Sequence, residues 1–174
     1  EALTHASDIL SVATVPVQGD FENGFGDSPE DCAETVRMAA EIGLAGICIE
    51  DTILPGDAAY DFDLAVARIR AAASAARALP HDFILTARAD GVMIGSYDTG
   101  EAIKRLQGFA DAGADCLYAP MPPDMAALAQ ICASVNRPVN ALIAGNFAGQ
   151  SLEDFAKAGV ARLSLGSALA RVTH

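Results

Sequence analysis

Tryptophan is absent from this chain, aromatic residues make up only 6% of its 174 positions, and basic residues are scarce. Eleven lysines and arginines stand against 23 aspartates and glutamates, a formal charge of -12, and the basic residues form no run. That balance excludes a partner held by phosphate contacts, so neither nucleic acid nor an anionic membrane is expected. No apolar run reaches the roughly 20 residues of a membrane span, and no signal peptide opens the chain, which sets a cytoplasmic expectation. The four cysteines, Cys32, Cys48, Cys116 and Cys132, lack metal-ligand or redox spacing and read as reduced packing residues. Histidine is nearly missing too. His5 sits on a helix, His81 precedes a strand and His174 is terminal, so all three read as surface residues and none is placed as a general base. No serine or cysteine occupies a nucleophile-elbow context.

What is present is apolar and small: 52% hydrophobic residues, rich in alanine, with 15 glycines. The length suits one domain, residues 1–174, with a single sizeable core. Apolar runs predict six strands at residues 15–20, 45–50, 83–87, 115–119, 138–143 and 161–165. Helical patterns fill the intervals, and a first helical segment covers residues 1–12, with Leu3, Ala6, Ile9 and Leu10 as its apolar stripe. Ser28-Pro-Glu-Asp31 and Ser151-Leu-Glu-Asp154 are helix-start signals. Gly43, Gly113 and Gly159 each stop a helix just before a strand. Strict βα alternation with apolar strands predicts a parallel sheet covered on both faces.

A doubly wound open sheet and a (β/α)8 TIM-type barrel both satisfy that pattern. No strand is followed by a dinucleotide-type Gly-x-Gly-x-x-Gly, and polar groups end several successive strands, which favours the barrel. Six strands fall short of its eight. The reading is about six βα units of a barrel, with front strands and the last helix expected to be missing from the chain.

The chemistry is expected at those strand ends. Asp20 and Glu22, two apart on a strand, should share a face, and Glu50 ends the neighbouring strand. Three converging carboxylates suit a small hard cation, Mg2+ or alternatively Mn2+, with room left for water and substrate. Arg88, at the next strand end, would clamp a substrate carboxylate, and Asn140 is a further substrate-binding candidate. The competing reading is that these acids cap loops and helices, with Asp27 and Asp51 as equal candidates. Gly145–Gly149 and Gly166-Ser167 follow the last two strands, where barrels often hold phosphate, although such turns need glycine on steric grounds alone.

Asp20-Phe-Glu-Asn-Gly-Phe-Gly-Asp-Ser-Pro-Glu30, Gly46-Ile-Cys-Ile-Glu-Asp51 and Thr86-Ala-Arg-Ala-Asp-Gly91 together resemble the isocitrate lyase/phosphoenolpyruvate mutase superfamily. The likeness runs to Arg162-Leu-Ser-Leu-Gly-Ser167. It implies an α/β barrel, a homotetramer of helix-swapped dimers, and Mg2+-dependent chemistry on small 2-oxo acids through an enolate. By that resemblance Asp20 holds the metal, Glu22 and Glu50 act through its waters, and Arg88 binds the substrate carboxylate. The chain departs from the family pattern after Glu50. Residues 52–60 read Thr-Ile-Leu-Pro-Gly-Asp-Ala-Ala-Tyr, without the cysteine, lysine or histidine of the lyases or the lysine and asparagine of the mutases. Pro120 stands where relatives carry glutamate or histidine. Asp57 and Tyr60, on this loop, are the remaining candidates for proton exchange. The expected function is a Mg2+-dependent lyase that cleaves a C–C bond of a small 2-oxo or 2-hydroxy acid. The alternatives are a phosphonate P–C mutase or hydrolase and a non-catalytic metabolite-binding barrel.

Overall fold

The computed structural model of the chain describes residues 1–173, so His174 lies outside the described residues. Helix α1 (Ala2–Leu10) leads to strand β1 (Gln18–Asp20), helix α2 (Pro29–Glu41) and strand β2 (Gly46–Glu50). A small hairpin, β3 (Thr52–Ile53) with β4 (Ala58–Ala59), precedes α3 (Phe62–Arg77) and β5 (Ile84–Arg88). A one-turn helix α4 (Gly91–Ile94), then α5 (Thr99–Asp111), connects to β6 (Cys116–Tyr118), and α6 (Met125–Ser134) connects to β7 (Val139–Leu142). A 3-10 turn (Gly145–Phe147), α7 (Leu152–Lys157), β8 (Arg162–Ser164) and α8 (Ala168–Thr173) complete the order.

All six expected strands form one parallel sheet in the order β1-β2-β5-β6-β7-β8. Each neighbour follows the last in sequence apart from the inserted hairpin, as repeated βα units require. The sheet is a curled arc of a TIM-type barrel, and its last strand, β8, is not paired with β1.

Both serine caps form as read: Ser28 and Ser151 each accept from the third helical N–H, and Asp31 and Asp154 close the capping boxes. Of the α1 stripe, Ala6 is buried and Leu3 and Leu10 pack against the core, but Ile9 is turned to solvent. His5 and His81 are exposed, and the four cysteines are free.

The expectation of a sheet covered on both faces is corrected. Ile47 and Ile49, Leu85 and Ala87, Leu117, and Val139 point outward into the core shared with α2, α3 and α5. The alternate residues, among them Gln18, Asp20, Cys48, Arg88, Tyr118, Asn140 and Arg162, line a cavity on the inner side. The period-two pattern of a strand thus separates an apolar helix-facing side from a polar concave side.

Alanines let the helices approach closely. Ala65, Ala72, Ala73 and Ala76 of α3 are nearly inaccessible, as are Val36 and Ala39 of α2. Buried Arg68 of α3 donates to the carbonyl of Gly26 at 2.7 Å and to that of Asn23, and its guanidinium lies 4.1 Å from the Tyr60 ring centroid. Those bonds fix the segment that leaves β1.

Candidate active site

The parallel strands bring Asp20, Glu50 and Arg88 together at their carboxyl ends. Asp20 is level with Cys48, and Glu50 is paired directly with Arg88 in the sheet register. Arg88 is the centre of the cluster. Its Nη1 lies 3.3 Å from both Asp20 and Glu50, while Nε and Nη2 form a two-pronged contact with Asp90, the latter at 2.9 Å. The loop after β5 therefore supplies a third acid, one that sequence reasoning quoted in a motif without giving it a role.

Asp90 is itself held. Its backbone N–H donates to Asp51 Oδ1 at 2.8 Å, and Asp51 Oδ2 accepts from Tyr97 at 2.7 Å and from Arg105 at 3.0 Å. This buried ion pair locks the loop that aims Arg88, so Asp51 serves the site from behind. Asp27, the other alternative acid, accepts the Tyr60 hydroxyl at 2.6 Å.

The electrostatics are those of acids crowded around too little positive charge. Burial, followed by the charge of Asp90, pushes the Glu50 carboxyl up to about 7, against the pull of Arg88. Burial likewise raises Asp90, against its hydrogen bonds with Arg88. Burial opposes the charge on Arg88, but hydrogen bonds to Asp90 and the charges of Asp90, Glu50 and Asp20 outweigh it and keep the guanidinium ionised.

Asp20 and Arg88 line the inner cavity, which has a volume of about 660 Å3. The Asp20 side chain is 63% exposed, while Glu50 and Asp90 are buried behind Arg88. Tyr118, also in the lining, stacks its ring 5.5 Å from the Arg88 guanidinium, and burial pushes its hydroxyl up to about 12. Asn140 lines the cavity as well, with its amide donating to Ser164 at 3.0 Å and its carbonyl accepting from Arg162 at 3.0 Å.

Three expected residues are placed differently. Glu22 lies beyond the end of β1 with φ +49°, so the strand alternation that was to pair it with Asp20 has already ended. Its side chain is exposed, its N–H turns back to Asp20 Oδ1 at 3.3 Å, and its carbonyl accepts from Glu50 N at 2.8 Å. Tyr60 is buried outside the cavity lining, its hydroxyl held by Asn23 and Asp27. Asp57 is exposed in the turn of the β3–β4 hairpin, and its carbonyl accepts from Ser96 at 2.7 Å. Sequence reasoning missed Asp90, Tyr118 and Arg162. The signal that would have found the last two is a polar residue at every second strand position, as in Gln18/Asp20, Thr86/Arg88 and Arg162/Ser164.

The donor chemistry fits a hard divalent cation. Asp20 presents carboxylate oxygens to an open cavity beside surplus negative charge, and no group of three Asp, Glu, His or Cys residues is disposed to enclose a metal among the described residues. Mg2+ is held in that way by one or two carboxylates plus water and substrate oxygens.

Acids and an arginine at the carboxyl ends of a curled, helix-backed parallel sheet are placed where α/β barrels carry their sites. A family model described as phosphoenolpyruvate phosphomutase matches residues 1–174, and the chain belongs to that family, within the isocitrate lyase/phosphoenolpyruvate mutase superfamily. 2-Methylisocitrate lyase of Escherichia coli (strain K12) is 32% identical over 150 residues, covering 82% of this chain and 49% of the relative. 2,3-Dimethylmalate lyase of Eubacterium barkeri is 32% identical over 129 residues, or 70% of this chain and 43% of the relative. A crystal structure from Burkholderia cenocepacia J2315, of a protein provisionally named a lyase/mutase, superposes with TM-score 0.94 at 43% identity, over 99% of this chain and 62% of that one. The chain thus spans about half the length of the curated relatives it matches.

Proposed function

We propose that the chain carries the site of a Mg2+-dependent lyase that cleaves a C–C bond of a small 2-oxo or 2-hydroxy acid, leaving an enolate product. The observation that carries this reading is Arg88 set among Asp20, Glu50 and Asp90, with Asp20 alone of the acids open to the cavity. Lyases of such acids among the relatives support it: one is named for 2-methylisocitrate and another for 2,3-dimethylmalate.

Asp20 would hold the cation, with Glu22 and Glu50 orienting its waters. A divalent ion at that position supplies Lewis-acid stabilisation of negative charge developing on the 2-oxo group. Arg88 Nη1 faces Asp20 and Glu50, the two acids the cation would draw on, and a substrate carboxylate would take the place of Asp20 on it; Nε and Nη2 stay with Asp90. Tyr118 is a neutral O–H donor in the cavity and would return a proton to the enolate carbon, the role that sequence reasoning gave to Asp57 or Tyr60.

Calorimetry with Mg2+ and pyruvate or oxalate tests the site, and a turnover screen of oxaloacetate, 2-methylisocitrate and phosphonopyruvate tests the reaction. Asp20→Ala is expected to weaken Mg2+-dependent binding more than tenfold. Tyr118→Phe is expected to keep binding and lower kcat about a hundredfold. Equal binding by Asp20→Ala and its parent would sink the proposal. Turnover of phosphonopyruvate alone would move the chemistry to a P–C bond.

A further inference from the structure

A second arginine faces the same cavity, and its environment is the opposite of that of Arg88. Arg162, on β8, donates from Nε to Asn140 Oδ1 at 3.0 Å, from Nη1 to Gln18 Oε1 at 2.6 Å, and from Nη2 to Thr86 Oγ1 at 3.1 Å. All three acceptors are neutral, and no carboxylate among the described residues pairs with it. A guanidinium carries five N–H groups. Two therefore remain, one on each terminal nitrogen, without an acceptor among the described residues.

The three neutral partners come from β7, β1 and β5. They hold the guanidinium plane in place without neutralising it, and such pre-orientation suits recognition of a planar or tetrahedral anion. Gln18 and Thr86 are themselves joined, Gln18 Nε2 donating to Thr86 Oγ1 at 2.8 Å.

The sheet register ties Arg162 to the acid cluster: Arg162 is paired with Asn140, Asn140 with Tyr118, Tyr118 with Arg88 and Arg88 with Glu50. Its partner Thr86 is aligned through Cys48 with Asp20. Arg162 therefore faces Asp20 and Arg88 across the concave side of the arc, from its last strand. Asp20, Arg88 and Arg162 line one cavity of about 660 Å3, with Asn140 and Ser164 also in its wall. A substrate with its 2-oxo end at Asp20 and Arg88 would direct its other end toward Arg162.

We propose that Arg162 forms a second anion subsite on the β8 side of this cavity, which takes the distal carboxylate or phosphonate group of the acid whose 2-oxo end lies at Asp20 and Arg88. The inference rests on the reading of the site given above, and it makes the substrate doubly anionic. The guanidinium contributes its charge and the two remaining N–H groups, while Gln18, Thr86 and Asn140 position it.

Titration calorimetry of the intact protein with Mg2+ tests this, using pyruvate as the singly anionic probe. The doubly anionic probes are 3,3-difluorooxaloacetate, which cannot enolise at C3, and phosphonopyruvate. The parent is expected to bind at least one doubly anionic probe about tenfold or more tightly than pyruvate. Arg162→Gln is expected to reduce that margin below about threefold with pyruvate affinity unchanged, and Arg162→Lys to restore part of it. The probe that loses more identifies carboxylate or phosphonate as the distal group. A merely structural strut from β8 to β1 and β5 would weaken all three probes alike, and that result would overturn the subsite. So would an unchanged margin in folded Arg162→Gln, with the Asp20 reading left standing. Should Arg162→Gln fail to fold, sulfate titrated into the unmodified protein gives the same decision. Sulfate is expected to compete with the doubly anionic probe and not with pyruvate, and competition with neither overturns the subsite. Failure of pyruvate itself to bind the parent would instead remove the underlying reading of the site.

Discussion

Glu50 is an acid of the site whose protonation the fold brings into the neutral range. Burial and the neighbouring acid Asp90 lift its pKa from an ordinary 4.5 to about 7. An acid raised in the folded state favours folding while it is protonated in both states. Its contribution is fully present below about 4.5 and is lost as pH rises through about 7. With a chelator present to remove divalent ions, Glu50→Gln should therefore gain stability relative to the parent as pH goes from 5 to 8. Urea midpoints of the two proteins at both pH values measure this, and a difference that does not grow with pH would contradict it. At this scale the sequence was partly readable. Asp20, Glu50 and Arg88 could be seen because each is a charged residue ending an apolar strand. Strand alternation did not place Glu22, because the chain leaves the strand at Asp20 and turns through a left-handed residue, which no alternation rule anticipates. Arg162 was quoted in a motif but given no role, since its partners Gln18, Thr86 and Asn140 are 144, 76 and 22 residues away along the chain.

Strands and helices were easier to read than side-chain roles, and the reason is local. Capping boxes at Ser28 and Ser151, together with glycines at positive φ such as Gly43 and Gly113, mark helix ends within a few residues of each strand. The β3–β4 hairpin and α4 escaped because two-residue strands and a single helical turn are too short to show a period. The close contact of β2 with β5 carries its own prediction. A Cβ added at Gly46 would lie 2.3 Å from the Ile84 carbonyl oxygen, which is backbone and cannot swing aside. Gly46→Ala should then cost stability near the upper end of the roughly 1–3 kcal/mol of overpacking. A shift of the urea midpoint with an unchanged denaturant slope is the expected result, and a neutral substitution would show that the two strands can slide apart at no cost.

For the molecule as a whole the governing quantity is net charge. A formal charge of -12 over 174 residues means that the compact state repels itself near neutral pH, and the repulsion acts over distances that salt screens. The same surplus of acids that equips the concave face for a cation thus weakens the fold when no cation is present. Raising KCl from about 20 to about 300 mM in chelator shortens the Debye length from roughly 20 Å to roughly 6 Å. At pH 8 the urea midpoint should therefore rise with salt. Near pH 5, toward the sequence pI of 4.4, the net charge falls to roughly half and the salt effect should shrink with it. Local ion pairs predict the reverse trend, because screening weakens attractions such as those between Arg88 and its three acids. A midpoint that falls with salt at pH 8 would mean that these clusters outweigh the global repulsion. A rise at pH 8 that fades at pH 5 would place the balance with net charge, and would make cation binding at Asp20 a stabilising event for the whole fold as well as a step toward chemistry.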